Sequence, residues 1–162
     1  MAMTDAYDDL IMSASMTYHV PFHWIKAIIG AESNFNPNAY REEPKIGDAS
    51  YGLMQILYRT AVEMGFTGRP ENLFDPALNI TLGTKYLAKL IEKYGSSSFE
   101  RIYSAYNSGS PDKYLSSSQV ARHVENAVAW LERVMAGNPA AAGGLALLVA
   151  GVIIYLMTKG KL

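Results

Sequence analysis

Apolar residues recur every three or four positions through most of the first 138 residues, which is the spacing that lines one face of an α-helix. Several of these stretches follow an Asp or Ser and end at a Gly, the residues that favour helix starts and helix ends. We predict six helices, over approximately residues 5–18, 21–31, 60–64, 75–94, 98–109 and 117–137. Asp5 is the expected N-cap of the first helix. Three of the others are expected to open at Asp75, at Ser98 and at Ser117 or Ser118.

The segments between these helices are predicted to be loops. Residues 34–50 are rich in Asn, Pro, Gly, Asp and Ser, which favour turns, and TGRPENLFD at 67–75 has the same character. No stretch alternates apolar and polar residues strongly enough to predict a strand. The sequence therefore predicts a mainly α-helical domain of about 138 residues, which is long enough to bury one core.

The pattern changes at Ala140. From there to Thr158 the sequence AAAGGLALLVAGVIIYLMT has 19 residues without a charge, close to the roughly 20 that span a bilayer core. Glycine is common in membrane helices but weakens a helix in water, so the alternative of a buried soluble helix is disfavoured. We expect a domain over 1–138 and, within 139–162, one transmembrane helix followed by a short basic tail.

Composition excludes several classes of function. The chain has 14 basic and 15 acidic residues and no basic stripe, so no nucleic-acid partner is expected. It has no cysteine, which excludes disulfides and thiolate chemistry. His19 and His23 lie four positions apart, but Pro21 breaks any helix that would bring them together. No metal site and no cofactor are therefore predicted.

Glu32 is the candidate for chemistry. It directly follows the apolar stretch WIKAIIGA and shares a helical face with Ile28 and Ile29, which are expected to be buried. It also lies in the last helical turn, where the helix dipole is negative. Desolvation and the dipole both raise the pKa of a carboxyl, and near neutral pH such a group can donate a proton and take it back. The alternative is a solvated glutamate at a frayed helix end.

Two further polar stretches lie beside predicted helices. Gln55 stands in GLMQI, and AYNSG places Tyr106 and Asn107 at a helix end. Amides and phenols are suitable hydrogen-bond partners for sugar hydroxyls and N-acetyl groups. Each stretch alone is a weak indication, because a Tyr-Asn pair at a helix end is also a common cap.

Taken in order, ESNFNPNA, YGLMQI, NITLGTKYLAKL and AYNSG resemble the successive motifs of the lytic transglycosylase (SLT) domain, in the goose-lysozyme-like superfamily. The resemblance covers approximately residues 15–115. It implies a lysozyme-like helical fold with a sugar-binding cleft. It also implies cleavage of the β-1,4 bond between N-acetylmuramic acid and N-acetylglucosamine in peptidoglycan, with a 1,6-anhydro product. The 40–51 segment is longer and more charged than in the plainest members, which puts the fit of the substrate in question.

The resemblance implies roles for individual residues. Glu32 matches the family's catalytic glutamate, the single carboxyl that protonates the glycosidic oxygen and then takes the proton of the muramic C6 hydroxyl. The residues expected to bind or position the glycan strand are Ser33, Gly52, Met54, Gln55, Tyr106 and Asn107.

Two alternatives for the activity stay open. Asp48 precedes YGLMQI, and as a second carboxylate it would activate water and make the protein a hydrolytic muramidase. A turn aspartate in IGDAS is the favoured explanation of this residue. The other alternative is a non-catalytic peptidoglycan-binding membrane protein, against which the intact Glu32 motif argues.

The tail sets the expected location. Residues 140–158 are expected to enter a lipid membrane, and Lys159 and Lys161 favour a cytoplasmic C-terminus with the domain facing the cell wall. The MAMTDAYDDL start has no secretory signal. The two observations together suggest a bacteriophage enzyme in a virion membrane, used for entry or lysis. The alternative is a wall-remodelling enzyme of the bacterial inner membrane.

Overall fold

The structure is a computed structural model, which describes residues 5–95 and 98–137. Its α-helices are α1 (Asp8–Tyr18), α2 (Phe22–Ser33), α3 (Tyr58–Glu63), α4 (Pro76–Tyr94), α5 (Phe99–Ser108) and α6 (Ser118–Ala136). Its strands are β1 (Tyr40–Glu43), β2 (Asp48–Tyr51) and β3 (Ile56–Leu57). Two 3₁₀-helices, Pro70–Phe74 and Lys113–Leu115, precede α4 and α6. The mainly helical fold is as predicted.

Three of the expected helix starts are confirmed by side-chain caps. The Asp75 carboxylate accepts from the Leu78 backbone N–H at 2.8 Å, and the Ser98 and Ser117 hydroxyls do the same for their helices. Asp5 was wrong as a cap. Helix α1 begins at Asp8, and the Asp5 carboxylate instead accepts from the Lys26 ammonium at 2.9 Å. An ion pair with a buried ammonium is a stronger interaction than a cap of a neutral amide.

The prediction of a plain loop over 34–50 was also wrong. Strands β1, β2 and β3 form a three-stranded antiparallel sheet, in which Tyr40 pairs with Tyr51 and Glu43 pairs with Asp48. Strand β1 is mostly exposed, so its sequence YREE lacks the alternation that reveals a half-buried strand. The β1–β2 hairpin is held by backbone pairing and by its turn at 44–47, and neither leaves a hydrophobic pattern.

Helix α2 runs through the centre of the core. Ile25, Ile28 and Ile29 are fully buried, and α2 packs along α6. A side chain at Gly30 would lie 2.5 Å from the Trp130 ring, so glycine at this position permits the close approach of α2 and α6. This packing fixes the C-terminal end of α2, and with it the position of Glu32.

The predicted transmembrane segment, residues 140–158, lies outside the described residues. Among residues 5–95 and 98–137, no helix combines the length and the hydropathy that a membrane crossing requires.

Candidate active site

Glu32 lies at the end of a helix and at the side of an open cleft. Asn34 and Phe35 follow with positive φ angles of 51° and 62°, so the chain turns away directly after α2. The cleft has a volume of about 740 Å³. Residues 30–41 form most of its wall, and Gln55 adds to it from the loop after β2.

Helix α6 also contributes to this cleft. Asn126 and Trp130 both line it, and the Asn126 amide donates to the Ala31 carbonyl at 3.4 Å. The Trp130 ring packs edge-on against Phe35 with centroids 5.6 Å apart. Because α6 lies beyond the motifs that carried the resemblance, its contribution to the cleft was not expected.

The Glu32 carboxyl has one hydrogen-bond donor from the core. The Tyr103 hydroxyl donates to Glu32 Oε1 at 2.8 Å, and Tyr103 is only 1% exposed. Burial raises the pKa of Glu32 to about 7; the Tyr103 hydrogen bond and the Arg41 charge oppose this rise, and the Glu43 charge adds to it. Glu32 itself keeps a partly exposed surface toward the cleft. It therefore combines access to a ligand with a pKa suited to proton transfer near neutrality.

The loop beneath the cleft is held by one buried amide. Asn79 is fully buried, and its Nδ2 donates to the carbonyls of Tyr51 (2.8 Å) and Leu73 (2.7 Å). Its Oδ1 accepts from the Met54 backbone N–H at 2.8 Å. Gly52 has a φ of 68°, and a side chain there would lie 2.5 Å from Asn79 Nδ2. A glycine is thus required for the turn and for the close approach of Asn79.

Gln55 joins this loop to the start of the hairpin. Its backbone has a φ of 47°, and its Nε2 donates to the carbonyls of Ala39 and Gly52, both at 3.0 Å. The same side chain lines the cleft. Gln55 therefore fixes the distance between the hairpin and the loop while presenting polar surface to a ligand.

Tyr106 stabilises the loop that contains Met54. Its hydroxyl donates to the Met54 carbonyl at 2.8 Å, and its ring packs against Tyr86 with centroids 5.4 Å apart. Burial and the nearby Glu32 charge raise the pKa of Tyr106, which keeps its hydroxyl neutral and able to donate.

The structure brings the sequence-predicted residues into two layers. Glu32, Ser33 and Gln55 line the cleft, and the Ser33 hydroxyl donates to the Ile29 carbonyl at 3.0 Å. The layer beneath is made by Gly52, Met54 and Tyr106, with Asn107 next to it in the last turn of α5.

Asp48 lies outside the cleft of Glu32 and has other hydrogen-bond partners. Its Oδ2 accepts from Arg59 Nε at 3.0 Å and its Oδ1 from the Ala49 backbone N–H at 2.8 Å. It lines a separate cleft of about 360 Å³, and not the cleft of Glu32. Among the described residues, no three His, Asp or Glu side chains are grouped in a way that would hold a metal ion. Glu32 is therefore the acid–base candidate of its cleft.

The family model of the transglycosylase SLT domain matches residues 9–126. The chain belongs to the transglycosylase SLT domain family. The match begins within α1 and ends within α6, so it extends the sequence resemblance at both ends.

Relatives of this SLT domain are larger proteins. The membrane-bound lytic murein transglycosylase C of Edwardsiella ictaluri is 37% identical over 116 residues, which cover 64% of this chain and 31% of that protein. The chain thus spans about a third of the length of this relative.

Solved structures share the fold. A lytic transglycosylase Slt from Pseudomonas aeruginosa superposes with a TM-score of 0.71 at 22% identity, over 83% of this chain and 25% of that one. The 70 kDa soluble lytic transglycosylase of Escherichia coli gives 0.69 at 25% identity, over 82% and 24%. A complex of the 70 kDa soluble enzyme with bulgecin A gives 0.56 at 28%, over 80% and 21%.

Besides the cleft residues of α6, sequence reasoning missed Tyr103 and Asn79, which hold the SLT site in place. Tyr103 precedes Tyr106 by three positions, which places both on one face of α5, and that spacing was an available signal. Asn79 is the first residue of the NITLGTKYLAKL stretch, where a polar residue precedes apolar ones within the helix predicted over 75–94. Its three hydrogen bonds to distant backbone groups have no local sequence signal.

Proposed function

We propose that this SLT domain is a peptidoglycan lytic transglycosylase that cleaves the β-1,4 bond between N-acetylmuramic acid and N-acetylglucosamine and forms a 1,6-anhydromuramic end. The observation that supports it best is the single carboxyl of Glu32, with a pKa raised to about 7 by burial, in a cleft large enough for sugar rings. A hydrolase of the common type requires a second carboxylate across the bond.

In the proposed reaction, Glu32 gives one proton to the substrate and receives a different proton from it. Protonated Glu32 gives its proton to the glycosidic oxygen, and the bond from that oxygen to muramic C1 breaks. The positive charge at C1 is stabilised by the neighbouring N-acetyl group of the muramic sugar. The C6 hydroxyl oxygen then bonds to C1, and its proton passes to the Glu32 carboxylate. No water is consumed, and the enzyme ends in its starting protonation state.

The neighbours of Glu32 would orient its carboxyl and position the sugar for this reaction. Tyr103 donates to one carboxyl oxygen and leaves the other free to exchange the proton (2.8 Å). Ser33 and Gln55 present polar atoms to the sugar from the cleft wall. Met54, Gly52 and Tyr106 hold the loop that carries Gln55, and Asn107 is assigned a supporting position at the end of α5.

The hydrolytic alternative has less support. It requires Asp48 to activate water opposite Glu32, but the Asp48 carboxylate already accepts from Arg59 and lines the other cleft. We therefore keep hydrolysis, and binding without cleavage, as outcomes of the experiment below.

The deciding experiment is mass spectrometry of the products released from purified peptidoglycan by the full chain. We expect muropeptides one water lighter than hydrolysis products, carrying 1,6-anhydro ends. Ordinary reducing ends would overturn the transglycosylase assignment and make Asp48→Asn the next variant to test. Retention on peptidoglycan without any soluble product would mean a binding protein.

We also propose that residues 140–158 hold the domain at a membrane. The support is their run of 19 uncharged residues and the membrane-bound name of the Edwardsiella relative. The full chain should float with liposomes, whereas a Val152→Glu, Leu156→Lys double variant should stay at the bottom of the gradient. Flotation of both would refute the assignment. Fractionation of phage particles and of bacterial inner membranes would then distinguish a virion enzyme from a host enzyme.

A further inference from the structure

The β1–β2 hairpin separates two clefts. Side chains alternate along a strand, so Arg41 belongs to one face of the hairpin and Tyr40 and Glu42 belong to the other. Arg41 lines the cleft of Glu32, whereas Glu42 lines the cleft of about 360 Å³ on the far face. Tyr40 borders both clefts, so the two clefts adjoin at this residue on β1.

The second cleft is walled by aromatic rings. Tyr40 and Tyr51 pair across the hairpin on this face, with ring centroids 5.4 Å apart, and Tyr58 approaches from the start of α3. Pro70 completes the wall. Tyr40 is 52% exposed, which leaves one of these rings open to a ligand. Tyrosine rings attract cations through their faces.

The charge of this cleft is negative. Among the residues that the structure describes, its charged lining residues are Glu42 and Asp48, and no Lys or Arg lines it. Arg59 neutralises Asp48, but within residues 5–95 and 98–137 Glu42 is in no salt bridge and is exposed. A free carboxylate beside exposed tyrosine is the chemistry that recognises an ammonium group.

We propose that the second cleft binds the peptide stem of the substrate, and that Glu42 pairs with the primary amine commonly carried by its third residue. This inference rests on the proposed function, which places a muramic sugar beside Glu32. The stem is attached to that sugar and extends by up to about 3.5 Å per residue, so its third residue reaches about 10 Å. Neighbouring strands lie only about 4.8 Å apart, and a stem can therefore pass over the hairpin edge at Tyr40.

The test compares substrates that differ only in stem charge. Soluble peptidoglycan fragments are used with free stem amines and after N-acetylation, and the KM for release of products is measured with the full chain. We expect acetylation to raise the KM of the wild type about threefold, the effect of one exposed ion pair. With Glu42→Gln the acetylated and free substrates should give the same KM. Glu92→Gln, which removes an exposed glutamate from α4, should respond to acetylation as the wild type does.

An equal response of Glu42→Gln and the wild type to acetylation would overturn the inference while leaving the proposed function in place. A chain that releases no product from any substrate would refute the proposed function, so a binding measurement is needed beside the kinetics. A stem tripeptide with a free amine should shift the NMR signals of Tyr51 and Tyr58 more than its acetylated form does. If neither peptide shifts them, the second cleft does not bind stems, whatever the activity.

Discussion

Lys26 and Glu32 lie six positions apart on α2, and the protein provides for these two ionisable groups in different ways. Lys26 is 2% exposed, and its ammonium donates to Asp5 (2.9 Å) and to both oxygens of Asp8 (2.7 and 2.9 Å). The Glu32 carboxyl instead accepts a hydrogen bond from the neutral hydroxyl of Tyr103. The Arg41 charge lowers the pKa of Glu32, but Arg41 itself is paired with Glu43 at 2.6 Å.

The difference separates a structural charge, Lys26, from the proposed acid–base group, Glu32. A buried charge with hydrogen-bonded counter-ions keeps one protonation state, and its loss costs stability. A buried carboxyl with no ion pair gains or loses a proton near neutral pH. Helix α2 thus holds the N-terminal segment in place through Lys26 and carries the proposed acid–base group, Glu32. The following predictions test this division, beginning with the largest expected effect.

Replacing Glu32 by Gln should remove catalysis and keep the fold. The amide oxygen can still accept from Tyr103, but the group can no longer transfer a proton. We expect activity to fall about 1,000-fold, as for the loss of a general acid–base group. Release of muropeptides from peptidoglycan measures this effect, and circular dichroism checks the fold. Retention of a tenth or more of the wild-type activity would refute the role of Glu32.

The same variant should change how stability depends on pH. The pKa of Glu32 is about 7 in the folded chain and its ordinary value is 4.5, so the folded state binds this proton more tightly than the unfolded state does. Stability is therefore highest below pH 4.5 as far as Glu32 is concerned, and decreases as the pH rises through 7. Gln does not titrate and avoids this loss.

We expect the free energy of unfolding of Glu32→Gln, relative to the wild type, to increase by about 2–3 kcal/mol between pH 4.5 and pH 8. The lower part of this range applies because Glu32 keeps some contact with solvent. Urea denaturation of both proteins at the two pH values gives the difference. A constant difference across that range would show that Glu32 is an ordinary surface carboxyl.

The helices could be predicted from the sequence because their signals are local. Asp75, Ser98 and Ser117 each cap a helix whose apolar spacing was already visible. Strand β1 could not, because it is exposed and gains its pairing from β2. Asp5 was assigned to the wrong partner, since its contact with Lys26 spans 21 positions of sequence.

The candidate site divides in the same way. Glu32 was found from a helical face and a helix end, both of which are local properties. Tyr103 meets Glu32 across 71 positions, and Asn79 meets Met54 across 25, so only the packing of the helices reveals them. Sequence reasoning therefore found the proposed acid–base group and missed part of what holds it in place.

Replacing Lys26 by Met should test the structural half of the comparison. The side chain keeps its length, but Asp5 and Asp8 lose their ammonium donor. We expect a loss of about 1–2 kcal/mol in the free energy of unfolding, less than for a fully enclosed pair because both aspartates retain contact with water. Activity per folded molecule should be unchanged. A loss of activity in a variant of wild-type stability would mean that Lys26 acts on the site.

Replacing Tyr103 by Phe should produce the smallest and most specific change. The Tyr103 hydroxyl donates to Glu32 Oε1 at 2.8 Å and so favours the ionised carboxylate. Its removal should raise the pKa of Glu32 further above 7. In the proposed reaction, cleavage begins with protonated Glu32. The decline of kcat/KM at alkaline pH should therefore move upward by roughly half a pH unit to one pH unit, the effect of one hydrogen bond. Burial and the Glu32 charge raise the pKa of Tyr103 itself, so its own titration does not interfere. The kcat at the optimum should also fall, since the carboxyl loses the contact that orients it.

Tyr94→Phe, which removes an exposed hydroxyl bonded to the Gly109 carbonyl, serves as the control and should leave the pH profile in place. A lower kcat with an unmoved alkaline decline would show that Tyr103 only fills the core beneath Glu32.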